Sequence, residues 1–176
     1  MSLQKQLCRI SIILMGLMLP LVPQSSIAQQ LELIQHDVVT IGSTIPYADG
    51  VGSELIRSEC NWNTVMPALM VIQSRHTLAS TEEDLAKVTG KKLFIKTSDI
   101  HVIGGSNFSG PKWIVLQGEL VDNGKLLGNF EFKRMTMGGK FTACKTLDYI
   151  SESLIKDILK WLKKPGMMPS PKSGQK

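Results

Sequence analysis

The sequence predicts an α+β domain: a two-layer α/β sandwich in which a mainly antiparallel sheet of about four strands carries two main helices on one face. Three observations predict it. Asn123-Gly124 separates two long apolar runs, which is the strongest short-range hairpin signal. The stretch 144–162 is strongly amphipathic at helical period and stops at Pro165-Gly166. The remaining periodic segments complete the order β-α-(α)-β-β-β-α.

Residues 31–45 are rich in β-branched side chains, with Leu31, Leu33 and Val39 at alternate positions, and read as a first strand. The turn 46–50 follows, and Asp49 or Ser53 can cap the next helix. Leu55, Ile56, Val65, Leu69 and Ile72 recur at helical spacing. Pro67 lies inside that pattern, so the helix should be kinked or broken and should end near Arg75. Ser80 with Glu83 spells a capping box, and Gly90 would close a helix of one or two turns. A second strand covers 92–103, its alternation slipping near Ser98-Asp99 as at a bulge. After the loop 104–111 come strands over 113–121 and 126–137. On the latter, Phe130 and Phe132 alternate with Glu131 and Lys133, giving one buried and one wet face. In the last helix Leu147, Ile150, Leu154, Ile158 and Leu162 form one stripe, edged by Ile155 and Trp161.

Both ends of the chain lie outside this domain. Lys5 and Arg9 precede an apolar run over 10–22, and Ser26-Ile27-Ala28 follows it. This is the pattern of a secretory signal peptide over 1–28, with cleavage near Ala28. The run is about 13 residues, short of the roughly 18–20 that span a bilayer, and Pro20 interrupts it. Cys8 precedes the run, so it is not placed as a lipidated cysteine and leaves with the signal peptide. One globular domain is expected over 29–165, and a disordered Gly/Pro/Ser-rich tail over 166–176. No stable membrane span is expected after cleavage.

Removing Lys5 and Arg9 from the 20 basic residues leaves 18 against 15 acidic, a net charge of +3. Part of that excess is Lys160, Lys163, Lys164, Lys172 and Lys176. That is a mildly basic surface with a basic end, and the few aromatics do not interleave with it, so nucleic acid is not an expected partner. The five dispersed lysines give thin support to attachment at a membrane surface. Cys60 and Cys144 remain after cleavage, and export places them where paired cysteines oxidise. With no Cys-x-x-Cys and no histidine at ligand spacing, a structural disulfide is expected rather than a metal or redox pair.

No catalytic, cofactor or metal site is expected. Gly50-Val51-Gly52 starts like a dinucleotide fingerprint, but position 55 is Leu where the third glycine belongs. Gly90-Lys91-Lys92 and Gly139-Lys140 lack the rest of a phosphate loop. His36, His76 and His101 lie far apart in sequence. Ser106 and Ser109 sit in a glycine-rich loop without an assignable triad, and Asn107 heads a formal glycosylation sequon. Glu82, Glu83 and Asp84 read as first-turn acids of a helix. Met135, Met137, Met167 and Met168 form no compact thioether set. Arg57, Glu59 and Trp62 surround Cys60. With Trp161 they build either a helix–helix contact or an exposed face for a partner.

The segments Gly110-Pro111-Lys112, Gly118-Glu119-Leu120, Arg134, Gly138-Gly139, Cys144, Asp157-Ile158 and Trp161-Leu162 resemble a pattern in a family of small exported proteins of Gram-negative bacteria that carries no assigned activity. Glu59 to Asn63 looks like the matching first helix. The resemblance implies a shared fold, a Cys60–Cys144 pair and periplasmic residence. The alternation of strands and helices is also similar to small domains of envelope-assembly proteins, a likeness of architecture alone.

The expected function is that of an exported, non-enzymatic binding or accessory protein. It would act through protein–protein contact in the cell envelope, by a sheet edge or the helix face around Trp62. The alternative is a small-ligand binder or hydrolase-type enzyme whose site converges only in three dimensions. Periplasmic and fully secreted locations are equally compatible with the signal, and no oligomeric state is specified.

Overall fold

The computed structural model describes residues 38–102, 110–137 and 142–168. The Asn-Gly turn does what its residues allow: Asn123 (φ 47°) and Gly124 (φ 84°) both take the left-handed conformation. They join strands β4 (Lys112–Asp122) and β5 (Lys125–Thr136) in a long antiparallel hairpin. Strand β3 (Lys91–His101) pairs antiparallel with β4, and a register shift between Thr97 and Asp99 marks the expected bulge. Strands β1 (Val39–Gly42) and β2 (Leu78–Thr81) complete a sheet of order β2-β1-β3-β4-β5. β1 runs parallel to both neighbours, so the sheet is mixed, with five strands in place of about four.

The fold is therefore α+β, with its helices on one face of the sheet. The segment read as one kinked helix is two. Helix α1 (Glu54–Glu59) is capped by the Ser53 hydroxyl and ends at Cys60; helix α2 (Trp62–Gln73) follows at once. The break thus falls before Trp62, and Pro67 sits inside α2. Proline cannot donate to the carbonyl four residues back, which is that of Asn63. That carbonyl instead accepts the Ile45 N–H at 2.9 Å, and Asn63 Nδ2 donates to the Ile45 carbonyl at 3.4 Å.

The helix expected after Ser80 is not formed. Ser80 lies in β2, and the Asp84 carboxylate accepts the Ala86 N–H in a turn, an arrangement that competes with a helix start. The chain from β2 to β3 crosses β1 on the side away from the helices, bringing Leu85 against Gly42. The 31–37 part of the expected first strand lies outside the described residues, as does the signal peptide.

Helix α3 (Ala143–Leu162) is capped by Thr142 and carries the predicted stripe. Leu147, Ile150, Leu154, Ile155 and Ile158 are buried against Leu116, Leu120 and Phe130 of the sheet. Gly118 stands opposite Phe130, whose ring occupies the place a side chain would need. Arg134 on β5 bonds Asp157 on α3 through both guanidinium edges, with Nη2–Oδ1 at 2.7 Å, and this contact raises the Arg134 pKa. Cys60 and Cys144 form the disulfide, Cα–Cα 5.1 Å, tying the α1–α2 junction to the first turn of α3. The first residues of the expected tail are ordered by contacts. Gly166 accepts hydrogen bonds from Asn129 N–H (3.2 Å) and Trp161 Nε1 (3.3 Å), and Met168 N–H donates to Asn129 Oδ1 (2.6 Å).

Candidate functional site

Two-residue periodicity gives the sheet a second face. Leu93, Leu116, Leu120 and Phe130 point to the helices, so Phe94, Lys96, Gln117, Glu119 and Glu131 share the other side. Among the described residues no helix covers that side. The crossover from β2 to β3 arches over its β1 end, and between arch and strands lies a trough of about 770 Å³. Leu85 and Phe94 supply apolar lining; Lys96, Gln117, Glu119 and Glu131 supply polar lining. Glu82, Glu83 and Asp84 stand at the arch, so the trough carries more acidic than basic side chains. Gln117 Nε2 donates to Glu131 Oε2 at 2.7 Å, fixing two of the polar groups. Lys92 Nζ lies 5.9 Å from the Phe94 ring centre.

Farther along the same face stands an aromatic cluster. Trp113 stacks on His101, ring centres 4.1 Å apart and 13° from parallel. Its Nε1 donates to Asp99 Oδ2 at 2.7 Å, and Lys133 Nζ sits 4.5 Å from its ring. Cross-strand register produces the arrangement, since His101, Trp113 and Met135 are successive partners across β3, β4 and β5.

The partner face read around Trp62 is corrected. Trp62 is 1% exposed, its Nε1 donates to the Tyr47 hydroxyl at 2.9 Å, and it packs edge-on against the Tyr47 ring. Burial pushes the Tyr47 hydroxyl pKa up, against the opposing effects of the Trp62 bond and the Arg57 charge. Trp161, 8% exposed, packs on Phe130 at 5.0 Å near the other end of α3. The two indoles are core, and they join no surface with the exposed Arg57 and Glu59. The reason is local: α2 has no charged residue, and Trp62, Met66 and Met70 at i, i+4, i+8 all face inward.

His76 lies in the left-handed turn between α2 and β2, far in sequence and element from His101 on β3. His36, Ser106, Asn107 and Ser109 lie outside the described residues. Among the described residues no group of three or more His, Cys, Asp and Glu is placed to hold a metal. Among them, too, no helix is long and apolar enough to cross a membrane. Met135, Met137 and Met167 are separately exposed on β5 and beside it. On the helix side, at the start of β4, Lys112 is buried, and among the described residues its Nζ has no hydrogen-bond partner.

No family model and no curated protein matches the chain. Solved structures do. The chain is similar to PelC of Paraburkholderia phytofirmans, crystallised as a dodecamer, at 14% identity and a TM-score of 0.48 over 71% of this chain and 87% of that one. It is also similar to a Xanthomonas campestris protein of the DUF330 family, at 11% identity and a TM-score of 0.44 over 70% and 82%. A minor lipoprotein of Acinetobacter baumannii aligns at 8% identity and a TM-score of 0.39 over 76% and 98%.

Proposed function

We propose that the chain is an exported, non-enzymatic accessory protein of the cell envelope that holds an extended segment of a partner protein along its open sheet face. The observation that carries this reading is the trough, about 770 Å³, between the Leu85 arch and the strands bearing Phe94, Gln117 and Glu131. It is open on one side, with apolar contacts at Leu85 and Phe94 and acidic groups on both the arch and the strands, which suits a basic segment with an occasional apolar side chain. The Trp113 cluster continues the same face and offers a flat aromatic contact beyond it. Export rests on the signal pattern before Gln29 and agrees with the Cys60–Cys144 disulfide.

The volume also lies in the range of small-ligand sites, so the test separates the two. A photoreactive residue at Phe94 is crosslinked in the living host, with one at Tyr149 on the helix layer as control. Adducts with one or two envelope proteins from position 94 alone, weakened by Glu119→Lys, support the reading. A clean protein at position 94, with a small molecule released on denaturation, replaces it with the ligand reading. The mature N-terminus, sequenced from the same preparation, should be Gln29.

A further inference from the structure

The trough runs across the sheet, and the chain itself arrives at one end of it. The lining passes from the Leu85 arch and Thr44 through Phe94 on β3 and Glu119 on β4 to Glu131 on β5. Met168 completes it at the β5 end. The chain comes there from the helix layer. After α3 it follows the outer edge of β5, where the Asn129 N–H donates to the Gly166 carbonyl. The Met168 N–H then donates to Asn129 Oδ1 at 2.6 Å. Asn129 stands opposite Glu119 and alternates with the helix-facing Phe130, so its side chain lies on the open face. That bond brings the chain off the sheet edge to the rim of the trough. The eight residues that follow, 169–176, include Pro169, Pro171, Lys172 and Lys176 and no acidic residue. The trough has the opposite balance. Glu119 and Glu131 on the strands and Glu82, Glu83 and Asp84 at the arch stand against Lys96.

We propose that residues 169–176 fold back across the trough and occupy it, as a ligand tethered to the site at Met168. The span fits. Adjacent strands lie about 4.8 Å apart, so β5 to β1 is three steps, roughly 14 Å. Pro169 and Pro171 favour an extended left-handed run, in which eight residues reach about 25 Å at about 3.1 Å each. Lys172, about 12 Å beyond Met168 on that path, comes within side-chain reach of Glu119. Lys176 has length enough to meet the acids of the arch. Phe94 offers the aromatic surface on which a proline-bearing run packs. Tethering supplies an effective concentration of about millimolar, so contacts too weak to hold a free peptide suffice. The consequence, which rests on the partner reading of the trough, is that an incoming basic segment must first displace the tail.

The purified full-length chain, carrying a photoreactive residue at Phe94 and with no other protein present, should crosslink to its own residues 169–176. The product is read as joined peptides by mass spectrometry. Its yield should not depend on protein concentration, and the same photoreactive residue at Tyr149 should give none of it. Lys172→Glu should lower the yield about threefold or more, and high salt should lower it too. Glu119→Lys should act likewise, and Lys172→Glu with Glu119→Lys should restore the yield. Glu119 is exposed, so this rescue is not a matter of folding. In the host, Lys172→Glu with Lys176→Glu should raise the envelope adduct at position 94. Absence of the tail crosslink in the purified chain overturns the proposal, whatever position 94 captures in the host, as does a yield indifferent to the charge exchange. A tail crosslink with no envelope adduct, even after charge reversal, supports the tail in the trough and removes the partner reading alone.

Discussion

The Cys60–Cys144 bond closes a loop of sequence separation 84, and that loop contains α2 and the β2–β5 part of the sheet. Replacing both cysteines by alanine frees the unfolded chain while leaving the packed helices in place. With a loop of this length, the chain-entropy relation gives a loss of about 4–5 kcal/mol. For a domain of this size that corresponds to a melting temperature lower by roughly 10–20 °C. The assay is urea unfolding of the oxidised protein and the double variant, followed by far-UV circular dichroism. Two signatures are expected together. The midpoint falls, and the m-value rises because the uncrosslinked unfolded state exposes more surface. Native spectra should coincide, since the bond acts mainly on the unfolded ensemble. A loss below about 1 kcal/mol with an unchanged m-value would refute the reasoning, because it would mean the unfolded chain is already constrained near these two residues.

Tyr47→Phe leaves the buried Trp62 Nε1 without its acceptor and should cost about 1–3 kcal/mol, read from the urea midpoint. Gly118→Ala drives a methyl into the Phe130 ring and should destabilise by about 1–3 kcal/mol; adding Phe130→Leu should recover part of that loss, and a neutral Gly118→Ala would contradict the packing. Asp148 has a pKa raised by burial and then by Glu152, so its ionised form is the disfavoured one in the fold. The stability this group contributes is full below its unfolded pKa and is lost as pH rises through the folded value. Asp148→Asn should therefore melt slightly higher than the parent at neutral pH, with the difference vanishing in acid; a gap independent of pH would exclude that origin.

What the sequence disclosed depended on whether the cause was local. The hairpin was legible because Asn123 and Gly124 are the residues that tolerate left-handed backbone. Helix α3 was legible because one stripe had to be buried and one face had to be wet. β2 was not: Leu78 to Thr81 has no alternation to read, and it is a strand because β1 needs a neighbour on that side. Ser80 and Glu83 spell a helix start locally, and the sheet overrides them. Of the two readings of Trp62, packing holds and the exposed face does not, and its spacing with Met66 and Met70 in an uncharged helix is the signal that marks it as core. The trough could not be read at all. Its polar groups come from three strands, and register alone makes them neighbours. The available signal was the alternation Phe94/Lys96 and Gln117/Glu119, which marks a second face that no predicted helix was left to cover.

The bond between Ile45 and Asn63 has a consequence for how the molecule opens. Pro67 leaves one rung of the α2 ladder without a donor, and the chain just beyond β1 provides it. The helix is thus completed by an atom that belongs to the other layer. Its local order is conditional on docking, and the exchange protection of the Ile45 amide reports the seating of α2 as much as that of the sheet. In opening equilibria, the first strand and this helix should behave as a single cooperative unit, although the bonded residues Ile45 and Asn63 are 18 positions apart along the chain.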